Sequence, residues 1–342
     1  MGPLGLVGSN PPLSAIKFKA LARAFAFIRE AMLGRLKYSR NKAGLAAGAF
    51  LILLNVAGCA PYRSAYVVAE GDLVGFTKAE VPLSFGGHDG RYAVVRPVIQ
   101  GRGFDLMLDT GAGQGTVTLT PAALESLDVS YTGKTLTLRD AEGNKYRPRE
   151  FVIPSIRLGD LELTNVPGYE NLTSPPGFDG SIGLALLGNF NVLIDYPGRA
   201  MTLYPKDTLP DFLSSEEWYR CEYAGGQQFD VRFACLAGEY SIGLDTGSGA
   251  TAIPADSDLA RDIIEFYGVA AENVTVNERT GEEVYIYNMD LYLDEYALGE
   301  HDCVITDMAG YMGNGLMGYD FFNRNRVFAA FDSKTFWLNK TE

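Results

Sequence analysis

The chain has 342 residues, 47% of them hydrophobic and 12% aromatic, with 39 Gly, 16 Pro and two His. That is enough apolar material for a sizeable core and too much chain for one small module, so two globular domains are expected and collagen-like or disordered readings are excluded. The net charge of −13 hides two unlike parts: residues 1–58 hold eight Lys/Arg against Glu30 alone, leaving 21 basic and 41 acidic residues for the remaining 284. A body so acidic repels a phosphate backbone, and no basic stripe with interleaved aromatics relieves it, so nucleic acid is excluded as a partner.

Arg35, Lys37, Arg40 and Lys42 precede the uncharged run Ala43 to Leu54, and Val56-Ala57-Gly58 closes it with small residues before Cys59. This is the three-part layout of a signal peptide over residues 1–58, with a basic region long enough that translation starting at Met32 is a competing reading. A transmembrane anchor also competes, but residues 43–58, with three glycines and an asparagine, are short for a hydrocarbon core of ~30 Å. Val56 to Cys59 resembles a bacterial lipobox. That resemblance implies cleavage before Cys59, a lipid on its thiol and amine, and a lipidated tether over residues 59–79. Ala60, with no aspartate at that position, resembles lipoproteins sorted to the outer membrane, so the expected place is the bacterial cell envelope, facing the periplasm.

Beyond the tether the chain reads as short alternating strands: Tyr92 to Gln100, Phe104 to Leu108, Leu136 to Arg139, Ile156 to Leu158, Val192 to Asp195 and Ala200 to Tyr204. Only Pro121 to Leu127, capped by Thr120, and Asp256 to Tyr267 read as helices. Two hairpins are expected, Leu136 to Arg147 around Ala141-Glu142-Gly143-Asn144 and Val274 to Tyr287 around Arg279-Thr280-Gly281-Glu282. In an oxidising compartment Cys221, Cys235 and Cys303 give one disulfide and one spare thiol. Cys221 and Cys235 flank the turn-like Gly225 to Gln228 and are the first choice, with Cys303 as the alternative partner. His88 and His301 are far apart and no Cys-x-x-Cys exists, so neither a metal nor a cofactor is expected.

The two halves repeat. Phe104 to Leu108 leads into Asp109-Thr110-Gly111-Ala112, and Tyr240 to Leu244 leads into Asp245-Thr246-Gly247-Ser248. Each motif is followed by an apolar pair closed by glycine, Gly183 lying 74 residues after Asp109 and Gly318 lying 73 after Asp245. Matching tails then reach Asp195 and Asp332. Two homologous lobes follow, over 80–207 and 208–342, joined by the connector Lys206 to Ser215. A lone Asp-Thr-Gly is expected in roughly one chain in ten of this length, but two at matched offsets are not accidental.

On these motifs the sequence resembles the aspartic peptidases, specifically retropepsin-like lobes in tandem as in the pepsin family, from about Val81 to Leu338. The resemblance implies an all-β fold of two closed lobes about a pseudo-two-fold axis, with the active-site cleft between them. Asp109 and Asp245 match the catalytic pair, Thr110 and Thr246 the interlocking threonines, and Gly111 and Gly247 the glycines beneath the carboxylates. The hairpins match flaps, with Tyr146, Tyr285 and Tyr287 as flap candidates against the plainer reading of ordinary strand tyrosines.

The residue types suit the chemistry. Amide hydrolysis without a nucleophilic side chain needs a base to activate water and an acid to protonate first the carbonyl oxygen and later the leaving nitrogen. Two carboxylates in near contact supply both, because they share one proton and titrate as a pair. At the fourth motif position Ser248 could donate to its carboxylate and Ala112 cannot, so Asp245 is expected to be the charged member. Gly111 to Gly115 imitates a dinucleotide loop, but Thr116 stands where the last glycine belongs. Gly133-Lys134-Thr135 lacks the first glycine of a phosphate loop and reads as a turn into the first hairpin. The expected function is therefore an aspartic endopeptidase acting on polypeptides, a monomer sufficing. The competing reading is a catalytically silent peptide-binding or scaffolding lipoprotein with the same fold.

Overall fold

The computed structural model describes residues 67–340 except 88, 113–115, 140–144, 173–176, 223–228, 270–273, 277–282, 294–295, 309–310 and 312. These lie in one compact unit, Pro61–Glu342. The expected signal peptide and Cys59 are outside the described residues, as are His88 and both hairpin tips.

The sheet that joins the halves is antiparallel and reads the same outwards from its middle. Asn191–Asp195 pairs with Asn325–Ala330, from Asn191 opposite Ala330 to Ile194 opposite Val327. On one side follow Ala200–Tyr204 and then the first part of Ala79–Gly86. On the other follow Thr335–Lys340 and then Tyr219–Glu222. Strands Ala79–Gly86 and Asp230–Cys235 each alternate buried and open side chains, as strands with one face on a core must.

Each half then builds a sheet in the same order. In the first it runs Tyr92–Val95, Leu106–Asp109, Gly180–Gly183, Val117–Leu119, Leu161–Glu170, Arg149–Leu158, with Ser130–Thr135 on the last strand. In the second it runs Asp230–Cys235, Gly238–Leu244, Leu316–Met317, Thr251–Pro254, Tyr296–Thr306, Glu283–Leu293, Val274–Val276, closed on itself where Ala234 meets Tyr292. In both, the strand before Asp-Thr-Gly pairs in parallel with the apolar-apolar-Gly strand: Asp109 lies opposite Gly183, and Leu244 opposite Met317. That register is the physical reason for the near-equal sequence separations. A large core runs continuously through both halves, with Leu106, Leu108, Ile182, Ile242, Leu244 and Met317 in it.

The first helix starts where its cap predicts, while the second, expected from Asp256, begins at Asp258 behind Ser257. Thr120 accepts from the Ala123 N–H at 3.3 Å ahead of Pro121–Leu124, and Ser257 accepts from the Ala260 N–H at 3.1 Å ahead of Asp258–Tyr267. The long strand expected over Tyr92 to Gln100 is interrupted at Arg96 and Pro97, since proline has no N–H to give the ladder. Part of the stretch read as a tether is docked: Asp72 accepts from the Thr164 N–H at 2.8 Å, the Val68 N–H donates to Asn189 Oδ1 at 3.2 Å, and Phe76 meets Phe190 edge to face.

Candidate active site

The two Asp-Thr-Gly turns meet back to back and interlock. The Thr110 N–H donates to Thr246 Oγ1 at 3.0 Å and the Thr246 N–H to Thr110 Oγ1 at 3.0 Å. Each hydroxyl then donates across to the strand before the other motif, Thr110 to the Leu244 carbonyl at 2.9 Å and Thr246 to the Leu108 carbonyl at 2.8 Å. Both threonines are fully buried, so these four bonds are shielded from water and fix one turn against the other.

This grip brings the carboxylates together. The Gly111 N–H, from the first motif, donates to Asp245 Oδ1 of the second at 3.0 Å, and the Gly247 N–H donates to the same oxygen at 2.8 Å. Asp109 Oδ1 accepts from the Ala112 N–H at 2.9 Å. A Cβ on Gly111 would stand 2.5 Å from Asp245 Oδ2, and one on Gly247 would stand 2.7 Å from Asp109 Oδ1. Glycine is thus required at both places for close approach of backbone to carboxylate.

The site is electrostatically lopsided. Burial, followed by the Asp245 charge, pushes the Asp109 carboxyl up to about 8, against the pull of the Ala112 and Gly111 amides. Burial also raises Asp245, which the Gly247 and Gly111 amides and a hydrogen bond from Asp109 hold down. The arrangement puts the shared proton on Asp109 and the charge on Asp245. The expected charged member is the one the structure favours, but the expected cause is not: Ser248 Oγ donates to the Ala250 carbonyl at 2.7 Å, so backbone amides supply the asymmetry. Ala112 contributes its N–H instead of a side chain.

Tyr196, which follows the first tail strand, was not singled out by sequence. Its ring is buried against Phe85 (centroids 5.0 Å apart) and Phe322 (5.3 Å), and its hydroxyl donates to the Thr246 carbonyl at 3.4 Å. Strand alternation places Met107 on the same face as Asp109. There it joins Val94 and Phe178 in an apolar cluster separate from the main core, with Tyr92 packed on it. Tyr92 also lies against Gly249 of the second motif's loop.

The flap candidates fare differently. Tyr146 lies opposite Leu138 in the first hairpin, whose existence matches the expectation, while residues 140–144 fall outside the described part. Tyr287 is 2% exposed and donates to the Gly268 carbonyl at 2.9 Å, and Tyr285 is half-buried against the core, so both pack inside the second lobe. They point inward because residues two apart on a strand share a face. The expected Cys221–Cys235 bridge is likewise absent, and neither joins Cys303: all three are buried, and Cys235 and Cys303 are free thiols. Cys221 sits in the joining sheet opposite Phe336 and Cys235 in the second-lobe sheet opposite Gly238, so flanking one loop does not make them partners. Among the described residues no cluster of three or more His, Cys, Asp and Glu could hold a metal ion.

A family model described as aspartyl protease matches residues 95–186, which contain Asp109 and Gly183. No curated protein matches the chain. Among solved structures, an aspartic proteinase from Irpex lacteus aligns with a TM-score of 0.55 and 12% identity, covering 78% of this chain and 98% of that one. At that identity the likeness is one of fold.

Proposed function

We propose that the chain, whose residues 95–186 match an aspartyl protease family model and whose fold is like that of an aspartic proteinase, is a catalytically competent endopeptidase of the pepsin and retropepsin type with Asp109 and Asp245 as its dyad. The observation that carries the proposal is the convergence of both Asp-Thr-Gly turns on one carboxylate pair, with the Gly111 and Gly247 amides on Asp245 Oδ1. In this reading the Asp245 carboxylate takes a proton from water as the water oxygen bonds to the scissile carbonyl carbon. Asp109 gives its proton to the carbonyl oxygen, leaving a neutral tetrahedral diol. Collapse returns a hydroxyl proton to the dyad, breaks the C–N bond and sends a proton to the departing nitrogen. Gly111 and Gly247 steady the charge on Asp245 before it takes the proton and after it gives it up, and the threonine grip keeps the two carboxyls from drifting apart.

A single chain suffices because each half supplies one aspartate. We place the enzyme in the bacterial envelope, lipidated at Cys59 and facing the periplasm, on the strength of the basic, apolar and small-residue layout of residues 35–59. The test is cleavage of an unstructured polypeptide by Asp109→Asn and Asp245→Asn. Each variant is expected to lose cleavage while keeping its fold and its affinity for peptide. Retained cleavage by either overturns the assignment, and an inactive wild type with intact peptide binding supports the silent scaffold instead.

A further inference from the structure

The shared registers let the two lobes be aligned residue by residue. With Ile182 beside Leu108 and Met317 beside Leu244, Ser181 and Leu316 are equivalent. Thr118 faces Ser181 and Ala252 faces Leu316; Tyr169 faces Thr118 and Val304 faces Ala252. Glu150 and Ile286 come next, opposite Tyr169 and Val304. One step further, Arg149 and Glu170 of the first lobe occupy the places of Tyr285 and Ile305, which pair directly in the second.

The second half fills this position with an uncharged pair, Tyr285 half-buried and Ile305 1% exposed. The first fills it with an ion pair whose carboxylate is buried. Arg149 Nε and Nη2 donate to Glu170 Oε1 at 2.9 and 2.5 Å, and the Arg149 N–H donates to Oε2 at 3.1 Å. The Tyr131 hydroxyl donates to Oε1 at 3.3 Å, and the Arg149 guanidinium lies 4.3 Å over the Tyr131 ring. These bonds hold the Glu170 carboxyl below its ordinary range, Arg149 being the main cause. The guanidinium is largely exposed, so the pair adds little to stability where Tyr285 and Ile305 serve the same fold without it.

Its position gives the explanation. Tyr131 lies on Ser130–Thr135, the strand entering the first hairpin, and Arg149 begins the strand leaving it. Between those legs the Leu136 N–H donates to the Pro148 carbonyl at 3.2 Å, and the pairing of the two strands shifts register between Arg149 and Phe151. Glu170 therefore ties both legs of the hairpin to a core strand at the neck where it leaves the sheet.

We propose that Glu170, Arg149 and Tyr131 form a hinge clamp that positions the first hairpin over bound polypeptide. They are positioning residues, and the proposal deepens the peptidase reading and rests on it. The lobes themselves supply the test variant: Arg149→Tyr with Glu170→Ile installs the second lobe's own pair. Amide exchange without substrate is expected to quicken about tenfold over residues 136–148 and to stay unchanged in the joining sheet. On an unstructured polypeptide KM is expected to rise about fivefold with kcat within about twofold, because a looser hairpin weakens binding before it touches the dyad. Glu170→Gln, which removes the charge but keeps the shape, is expected to shift both readouts in the same direction by less, and it decides the matter if the double variant does not fold. Unchanged exchange over 136–148 overturns the clamp, as does a loss confined to kcat. If no variant or wild type cleaves polypeptide, the peptidase reading fails, and the exchange measurement still decides whether the clamp holds the hairpin.

Discussion

Asp109→Asn removes a carboxyl whose proton the fold holds far above the ordinary carboxylate range, so its effect on stability must grow with pH. In the folded chain the Asp109 carboxyl is pushed from an ordinary 3.8 up to about 8. Below pH 3.8 both folded and unfolded states carry the proton and the group contributes no difference. As pH rises towards 8, the unfolded chain ionises while the folded chain still holds its proton, so the wild type loses stability progressively; above 8 the loss is constant. The shift of about 4 pH units corresponds to at most roughly 6 kcal/mol. Asparagine carries no charge at any of these pH values and escapes the loss. Urea unfolding of wild type and variant, followed by fluorescence of Trp218 and Trp337 from pH 5 to pH 9, reads the difference directly. The variant is expected to gain on the wild type with rising pH and to level off above pH 8. A difference that stays flat across the range refutes the buried, proton-holding dyad.

Three further outcomes follow from the same contacts. Thr246→Val keeps the volume but strands the buried Thr110 N–H and Leu108 carbonyl, so urea unfolding is expected to show a loss of about 2 to 3 kcal/mol, against about 1 for Thr246→Ser; equal losses would count against the grip. Gly247→Ala puts a methyl 2.7 Å from Asp109 Oδ1, and steady-state kinetics are expected to show kcat down about 100-fold, whereas an unaltered kcat contradicts the geometry. A chain beginning after Cys59, denatured and alkylated without reductant, is expected to take three labels by mass, at Cys221, Cys235 and Cys303; a single label would restore a disulfide.

What the sequence made legible is what depends on local pattern and repetition. Asp109 and Asp245 stood out because the same short motif recurs at nearly the same distance from an apolar-apolar-Gly element, and the parallel pairing of Gly183 with Asp109 shows what that distance measures. Thr120 as a cap and Ala200–Tyr204 as a strand were readable for the same local reasons. Contacts set by cross-strand register were not. Arg149 and Glu170 are 21 residues apart and adjacent only after two long strands pair. Ser248 looked like a donor to Asp245, but its turn aims the hydroxyl at Ala250, a direction fixed by backbone geometry that residue identity does not disclose. Tyr287 stood as a flap candidate because alternation identifies two faces without saying which is inside, and the structure buries it. Tyr196 carries no motif at all, and its closeness to Thr246 arises from packing between the halves.

The most direct test of the whole account is the titration of Asp109 and Asp245 followed by carbon NMR of labelled aspartate carboxyls, assigned with the two Asn variants. The account predicts a linked pair that keeps one proton through neutral pH and releases it near 8, with Asp245 carrying the charge until then. Two independent carboxyls, each ionising near the ordinary 3.8, would contradict it.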